Sequence, residues 1–220
     1  MPDRSTRHWV CTGLTVLVVA PVLLGIAGAV YAISLRLSAR ALIHSARTIR
    51  TTADAEREIA AWRRRSGNKF WVEKPPVRVW AGVGDVAPEK TYKAEIANLE
   101  IARLGLVELV GATLEITMHD GKLRRITVTE WTAWYPLASV WIQEWFDAGL
   151  PNPGLPNGLD ISRAGEPSTA TVVFPSSLRE AQRARAFAVN TDCLARPTPC
   201  KTADDILPGV WHLDSDVGPD

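Results

Sequence analysis

The chain has 220 residues, with 25 basic against 24 acidic side chains and three cysteines. That length admits one ordinary domain and an appendage. The balanced charge lacks the basic excess of nucleic-acid-binding chains, so no nucleic-acid partner is expected.

From Trp9 to Leu35 no residue is charged; His8 precedes the run and Arg36 follows it. As a helix rising about 1.5 Å per residue, the run would span roughly 40 Å, against the roughly 30 Å of a bilayer core. Trp9 and Tyr31 stand near its ends, where amphipathic rings favour the membrane interface. Pro21 is tolerable in a membrane helix. The competing readings are a core helix and a cleaved signal peptide, with faint cleavage motifs at Ala27 to Ala29 and Val30 to Ala32. A signal's apolar region is usually about 7–15 residues, so the longer run reads as an uncleaved anchor that crosses the membrane once. Arg36, Arg40, Arg47 and Arg50 outnumber Arg4 and Arg7, which on the positive-inside rule puts the C-terminal side in the cytoplasm. A disulfide between the two polar-region cysteines, argued below, would put it outside. The extracytoplasmic reading is preferred.

Leu35, Ala39, Leu42, Ala46, Ile49 and Ala53 follow a four-three spacing and form one stripe of a helix. The seam is short for a coiled coil, so it is expected to pack on the protein's own domain. Arg36, Arg40, His44, Arg47 and Arg50 form a second stripe, either solvated or laid against anionic lipid headgroups. A further helix follows, or the same one continued, with a Thr51–Asp54 capping box and a buried face of Ala55, Ile59 and Trp62. Arg63, Arg64 and Arg65 suit its last turn, and Gly67 ends it.

The middle of the chain reads as antiparallel sheet. A short strand precedes Pro75 and Pro76, and "KTYKAEIANLEIARL" fits helix and strand alike. The stretch "GATLEITMHDGKLRRITVTEW" reads as a hairpin about Asp120–Gly121. A plain two-residue turn would put Ile126 and Val128 on the face opposite Leu114 and Ile116. A buried face therefore demands a one-residue shift, expected as a three-residue loop or a bulge near Gly121. Pro136 is expected to open a helix carrying Val140, Trp141, Glu144, Trp145 and Ala148. Trp131, Trp134, Trp141, Trp145 and Phe146 are expected in the core, with an interaction patch of Trp131, Trp134, Trp141 and Trp145 as the sharper alternative. Residues 149–167 should be an exposed loop. "TATVVFP" reads as a strand. "SSLREAQRARAFAVN" reads as a helix with a Ser177–Glu180 capping box and Leu178, Ala181, Arg185 and Ala188 along one side.

The expected fold class is α+β. Residues 1–35 form a tail and transmembrane helix, and 36–67 an amphipathic helical segment. Residues 68–213 form a small antiparallel sheet packed with helices, and 214–220 a disordered tail.

Candidate chemistry is sparse. Ser139, Ser176, Ser177 and Ser215 lie in no nucleophile elbow. His119 adjoins Asp120 at the turn, and Asp120 has a structural reason to be there. "GVGD" from Gly82 to Asp85 is too short for a phosphate loop. No catalytic residue, cofactor or metal site is assigned. Cys193 and Cys200 fail the redox-pair spacing, and a zinc site would need the fold to bring in His212. With Pro197 and Pro199 between them, the two cysteines read as a disulfide that fastens the C-terminal segment.

The run Phe187, Asn190, Cys193, Leu194, Cys200, Leu207, Pro208 and Trp211 resembles the "FAxNxxCL…C…LPxxW" ending of an uncharacterised family of bacterial single-pass membrane proteins. Only these last two dozen residues are specific. Relatives often have Gly before the second cysteine, where Pro199 stands here. The resemblance implies an N-terminal anchor, a basic helical stretch and a strand-rich domain in the inner membrane, and no activity. The layout also loosely resembles small periplasmic modules that bind other proteins. The expected function is a membrane-tethered, extracytoplasmic binding or scaffolding module. Its partners would be the lipid bilayer and a protein in or near the membrane. The alternative is a membrane-anchored, hydrolase-like enzyme.

Overall fold

A computed structural model describes residues 4–66, 71–74, 89–102, 109–132, 138–147, 156–164, 168–194 and 200–213. The expected tail over 214–220 lies outside them, as do Trp134, Ser215 and the "GVGD" turn. The fold is α+β. Helices α1 (Arg4–Thr48) and α2 (Thr52–Ser66) precede strands β1 (Trp71–Lys74) and β2 (Glu89–Ala97). A short α3 (Leu99–Ala102) leads to β3 (Val110–His119), β4 (Lys122–Thr132) and β5 (Ser139–Trp145). Then come β6 (Asp160–Ala164), β7 (Thr169–Pro175), α4 (Glu180–Ala186) and α5 (Ala203–Ile206), with 3-10 turns at Thr191–Leu194 and Val210–His212. The strands form one seven-stranded sheet in the order β1-β2-β3-β4-β5-β7-β6. Among the described strands, only β5 and β7 pair in parallel.

α1 is a single 45-residue helix that passes unbroken through the 35/36 boundary. Its two ends have different surroundings. Leu35, Ala39, Leu42, Ala46 and Ile49 are buried against the domain, as their spacing predicts. Toward the N-terminus the helix leaves the domain, and Leu17 is 76% exposed, Leu24 72% and Val30 62%. One helix near the N-terminus is therefore long and apolar enough to span a membrane. The seam does not reach Ala53, which is exposed. The helix ends at Thr48, and α2 starts at Thr52 with Ala55, Ile59 and Trp62 buried.

Thr51 and Asp54 form the expected box. The Thr51 hydroxyl accepts the Asp54 N–H at 3.2 Å, and the Asp54 carboxylate accepts the Thr51 N–H at 3.1 Å. Trp62 Nε1 donates to Ser45 Oγ at 3.1 Å and ties α2 back to α1.

In the central hairpin, Ile116 faces Ile126 and Leu114 faces Val128, as a shared buried face requires. The turn itself departs from expectation. Asp120 (φ 47) and Gly121 (φ 71) make a tight two-residue turn with His119 paired to Lys122. Two positive-φ residues satisfy the hairpin turn that matches the strands' twist, so no extra residue is needed there. The shift comes later: Met118 pairs with Leu123 but Thr117 with Arg125, so Arg124 bulges. The Leu123 N–H donates to Thr52 Oγ1 at 3.0 Å, which locks the hairpin to the start of α2.

Three further expectations are corrected. The helix expected from Pro136 is strand β5, in which Val140, Ile142 and Glu144 alternate inward with Trp141, Gln143 and Trp145. Part of the expected 149–167 loop is the edge strand β6. α4 starts at Glu180 with Arg179 as its N-cap and no side-chain cap, so the Ser177–Glu180 box does not form. Its buried residues are Arg183 and Ala186, and Ala181, Arg185 and Ala188 are exposed. Arg183 and Ala186, three residues apart, share the buried side, so the helix packs on a different face from the expected one.

The core lies between one face of the sheet and the helices and is mainly aliphatic, with Trp62, Phe146, Phe174 and Phe187 among it. Ile116, Ile126, Leu42, Ile142, Val172 and Leu207 belong to one cluster. Fully burying such a side chain contributes about 1.5–3 kcal/mol.

Candidate functional site

Four features could bear function, and the first three follow from which face of the sheet their strand residues occupy.

The first is charged and internal. Glu144 sits on the core-facing phase of β5, and Arg183 on α4 meets it: Nε donates to Oε1 at 2.7 Å and Nη2 to Oε2 at 2.6 Å. The same guanidinium donates to the carbonyls of Arg47 (2.6 Å), Ala46 (3.1 Å) and Ile49 (3.2 Å). These are end-of-helix carbonyls, which lack intrahelical partners. Arg50 adds an ion pair to Glu144 at 3.8 Å and one to Glu180. Burial pushes the Glu144 pKa up, while Arg183 and Arg50 pull it down.

The second is also internal but has no partner. Glu130 on β4 follows Ile126 and Val128 in the core-facing phase, between Ala112 of β3 and Val140 of β5. It is 1% exposed, and neither carboxyl oxygen has a hydrogen-bond partner. Burial first, then the charge of Asp192, holds its pKa well above the usual carboxyl range. A buried carboxyl is more easily kept as the neutral acid.

The third is the tryptophan set. Trp131, Trp141 and Trp145 occupy the sheet face opposite the core, so the expectation that they fill the core is wrong for all three. Among the described members of the set, Phe146 joins it. Trp141 pairs with Thr129 and Trp131 with Ser139, which makes the two tryptophans diagonal neighbours. Trp141 is 45% exposed. The Trp131 ring lies over Gly111, where a Cβ would come within 2.6 Å of Cζ2. Arg124 and Arg125 flank the Trp145 ring at 5.3 and 5.0 Å.

The fourth is the C-terminal fastening. Cys193 and Cys200 are bonded, with Cα atoms 5.1 Å apart. Asn190 holds the returning chain: its N–H donates to the Ile206 carbonyl at 2.7 Å and its Nδ2 to the Asp205 carbonyl at 3.0 Å. A Thr202–Asp205 capping box starts α5, and Leu207 and Val210 are fully buried. Arg163 stacks 4.1 Å from the Trp211 ring. Phe187, Asn190, both cysteines, Leu207 and Trp211 thus hold the C-terminal segment on the domain, and the ending they form is structural.

His119 and Ser139 do not converge. His119 is at the hairpin end of the sheet and pairs with Lys122, whereas Ser139 pairs with Trp131 at the other end. At about 3.3 Å per residue along β4, the two are roughly 30 Å apart. The Ser139 hydroxyl instead bonds Thr169 Oγ1 at 3.3 Å. Among the described residues no group of three His, Cys, Asp or Glu side chains could hold a metal ion.

The arginine stripe behaves in neither expected way throughout. Arg36 pairs with Asp192 at 2.5 Å, and Arg40 donates from Nε to Thr191 Oγ1 at 3.1 Å. His44 and Arg47 are exposed. Between this stretch of α1 and residues 187–192 lies a 390 Å³ cleft lined by Arg40, His44 and Arg47.

Glu130, Glu144 and Arg183 were missed as candidates by sequence reasoning. A signal existed for the two acids, since each falls in phase with buried β-branched residues on its strand. Comparison of the chain with protein-family models, curated proteins and solved structures finds no match.

Proposed function

We propose that the protein is a single-pass membrane-tethered module of the bacterial inner membrane. Its α+β domain lies outside the cytoplasm and binds or scaffolds a protein partner at the membrane surface. One observation carries the reading: α1 is welded to the domain at one end and leaves it apolar and exposed at the other. A water-exposed helix of that composition would be unfavourable, and a bilayer removes the cost. The family resemblance of the C-terminal ending supports the same layout.

The Cys193–Cys200 bond supports an oxidising compartment. The arginines that argue for the opposite orientation have a structural reason to be present, because Arg36, Arg40 and Arg50 pair with Asp192, Glu144 and Glu180. Trp131, Trp141 and Trp145, joined in the sequence by Trp134, are the partner surface of this reading. Aromatic rings on a rigid sheet are the side chains enriched at protein interfaces.

A reporter enzyme active only outside the cytoplasm, fused to the C-terminus, tests the orientation. The fusion is expected to be active and to stay in the membrane fraction after alkaline carbonate washing. An inactive fusion overturns the orientation, and a mature chain that begins after Ala29 or Ala32 overturns the anchor.

A further inference from the structure

We infer that the cleft between the last third of α1 and residues 187–192 is a binding site for a phosphate group, with an anionic phospholipid headgroup as its source. The placement beside lipid rests on the membrane reading above; the chemistry of the cleft does not.

The polar groups come from one helix face. Arg40, His44 and Arg47 are spaced four and three residues apart, so they line up along α1 and face the cleft together. Asp192, the one carboxylate among the described lining residues, is held at 2.5 Å by Arg36, which is not one of them. Arg40 stands farther from that carboxylate, at 3.6 Å. Asp192 is shared between Arg36 and Arg40, so with Arg47 the cleft keeps a positive balance. The His44 and Arg47 side chains engage no other described residue, so both are available to a ligand. Thr191 Oγ1 accepts from Arg40 Nε at 3.1 Å and keeps its own proton to donate.

Two guanidinium groups, an imidazole and a hydroxyl suit an anion with several oxygens arranged about a centre. Guanidinium forks match phosphate in geometry and charge. The 390 Å³ volume falls in the roughly 300–1,000 Å³ range of small-molecule sites, so a headgroup fits and a bare ion would leave most of it open.

Position selects the lipid. Arg40, His44 and Arg47 follow Leu35 by five, nine and twelve residues, or about 7.5, 13.5 and 18 Å along the helix axis. Long helical side chains lean back toward the N-terminus, here toward the exposed apolar segment. That segment reaches Leu37, which is 57% exposed. The headgroup layer extends roughly 5–8 Å beyond the hydrocarbon, so Arg40 lies at its depth and the His44 and Arg47 side chains lean back toward it from above. The opposite wall, residues 187–192, runs into the Thr191–Leu194 turn that the Cys193–Cys200 bond anchors, which gives the disulfide a role in shaping the site.

Native mass spectrometry of the full-length protein in non-ionic detergent tests the site, with phosphatidylglycerol, phosphatidylcholine, oleate and inorganic phosphate as probes. One phosphatidylglycerol per chain is expected to be retained over phosphatidylcholine and oleate. The His44→Gln/Arg47→Gln double variant should weaken retention about tenfold or more, as loss of charge-assisted hydrogen bonds predicts. Both residues are exposed, so the variant should fold. Arg64→Gln, an exposed change on α2, should alter nothing. Thermal stabilisation by inorganic phosphate that the double variant abolishes, without lipid retention, sustains the phosphate site and makes its source soluble. Equal retention by the double variant, or equal retention of phosphatidylcholine or oleate, overturns the proposal. The assay takes place in detergent, so its failure is separate from failure of the anchor, which carbonate washing reads.

Discussion

Arg183 and Glu144 form a two-point fork inside the domain, at 2.7 and 2.6 Å, with side chains 1% and 0% exposed. The fork joins β5 to α4, and through the carbonyls of Ala46, Arg47 and Ile49 it also holds the end of α1. A buried pair is weak evidence of net stability, because desolvating two charges offsets much of their attraction. Breaking it is another matter.

Arg183→Ala strands the Glu144 carboxylate and three helix-end carbonyls, and should cost about 3–5 kcal/mol. Arg183→Lys should recover little, since an ammonium cannot fork to the carboxylate and reach three carbonyls together. Denaturant unfolding in detergent measures both. A Lys variant as stable as the native protein would show that geometry is unimportant here. Limited proteolysis near Thr48–Thr51 should also rise in the Ala variant if the fork anchors α1.

Glu130 makes a prediction about pH. Its folded-state pKa is raised, by burial and by Asp192. The unfolded chain keeps an ordinary carboxyl near pH 4.3. The folded state therefore holds a proton that the unfolded state releases. Glu130's favourable contribution is complete below the unfolded pKa and is lost as pH rises through the folded one. Glu130→Gln, close in shape and never charged, should stabilise the protein at neutral and alkaline pH and flatten that part of its stability profile. Identical slopes above about pH 4.5 for the two proteins would contradict the assignment.

The parts of the fold with one unambiguous period were legible in the sequence. The seam from Leu35 to Ile49 fits only a helix, and it packs as read. The Asp120–Gly121 turn and the need for a shifted register were also legible, because a buried face tolerates one phase only. Where the shift would fall was not: the turn was satisfied by its own two residues, and the bulge moved to Arg124.

β5 was misread because Trp141 and Trp145 are four apart, a spacing that suits both a helix face and a strand face. Pro136 then tipped the reading toward helix. Val140 and Ile142, β-branched and two apart, were the better guide. The same alternation, followed one step further, marks Glu144 and Glu130 as inward-facing acids. Arg183 could not be found that way, since its partner lies 39 residues away in sequence and meets it only through the sheet. The cleft at Arg40, His44 and Arg47 depends likewise on residues 187–192 closing against α1.

Gly111 and Trp131 are cross-strand partners, and the glycine has a packing reason. A Cβ there would sit 2.6 and 2.9 Å from ring atoms of Trp131 and 3.0 Å from the Ile96 carbonyl oxygen. The ring can turn away, but the β2 backbone cannot. Gly111→Ala should cost about 1–3 kcal/mol by overpacking and expose the Trp131 ring. A red-shifted tryptophan emission with reduced thermal stability is the expected signature. Native stability with unchanged emission would mean that the ring does not lie over the glycine.

The Cys193–Cys200 bond closes a short loop, with a sequence separation of 7. In the chain-entropy account a loop of that size contributes about 2.5 kcal/mol by restricting the unfolded chain. The loss should not spread evenly. The Thr191–Leu194 turn carries Asp192, which pairs with Arg36 and Arg40, and Leu194, which packs with Leu35 and Ala39. A Cys193→Ser/Cys200→Ser variant should therefore loosen the turn from α1 before the sheet unfolds. Hydrogen exchange should quicken at 190–194 and along 36–40, with β3 and β4 unchanged. Uniformly faster exchange would make the bond a global stabiliser with no particular hold on α1. Two free thiols in non-reducing mass analysis of membrane-extracted protein would remove the bond, and with it the compartment argument.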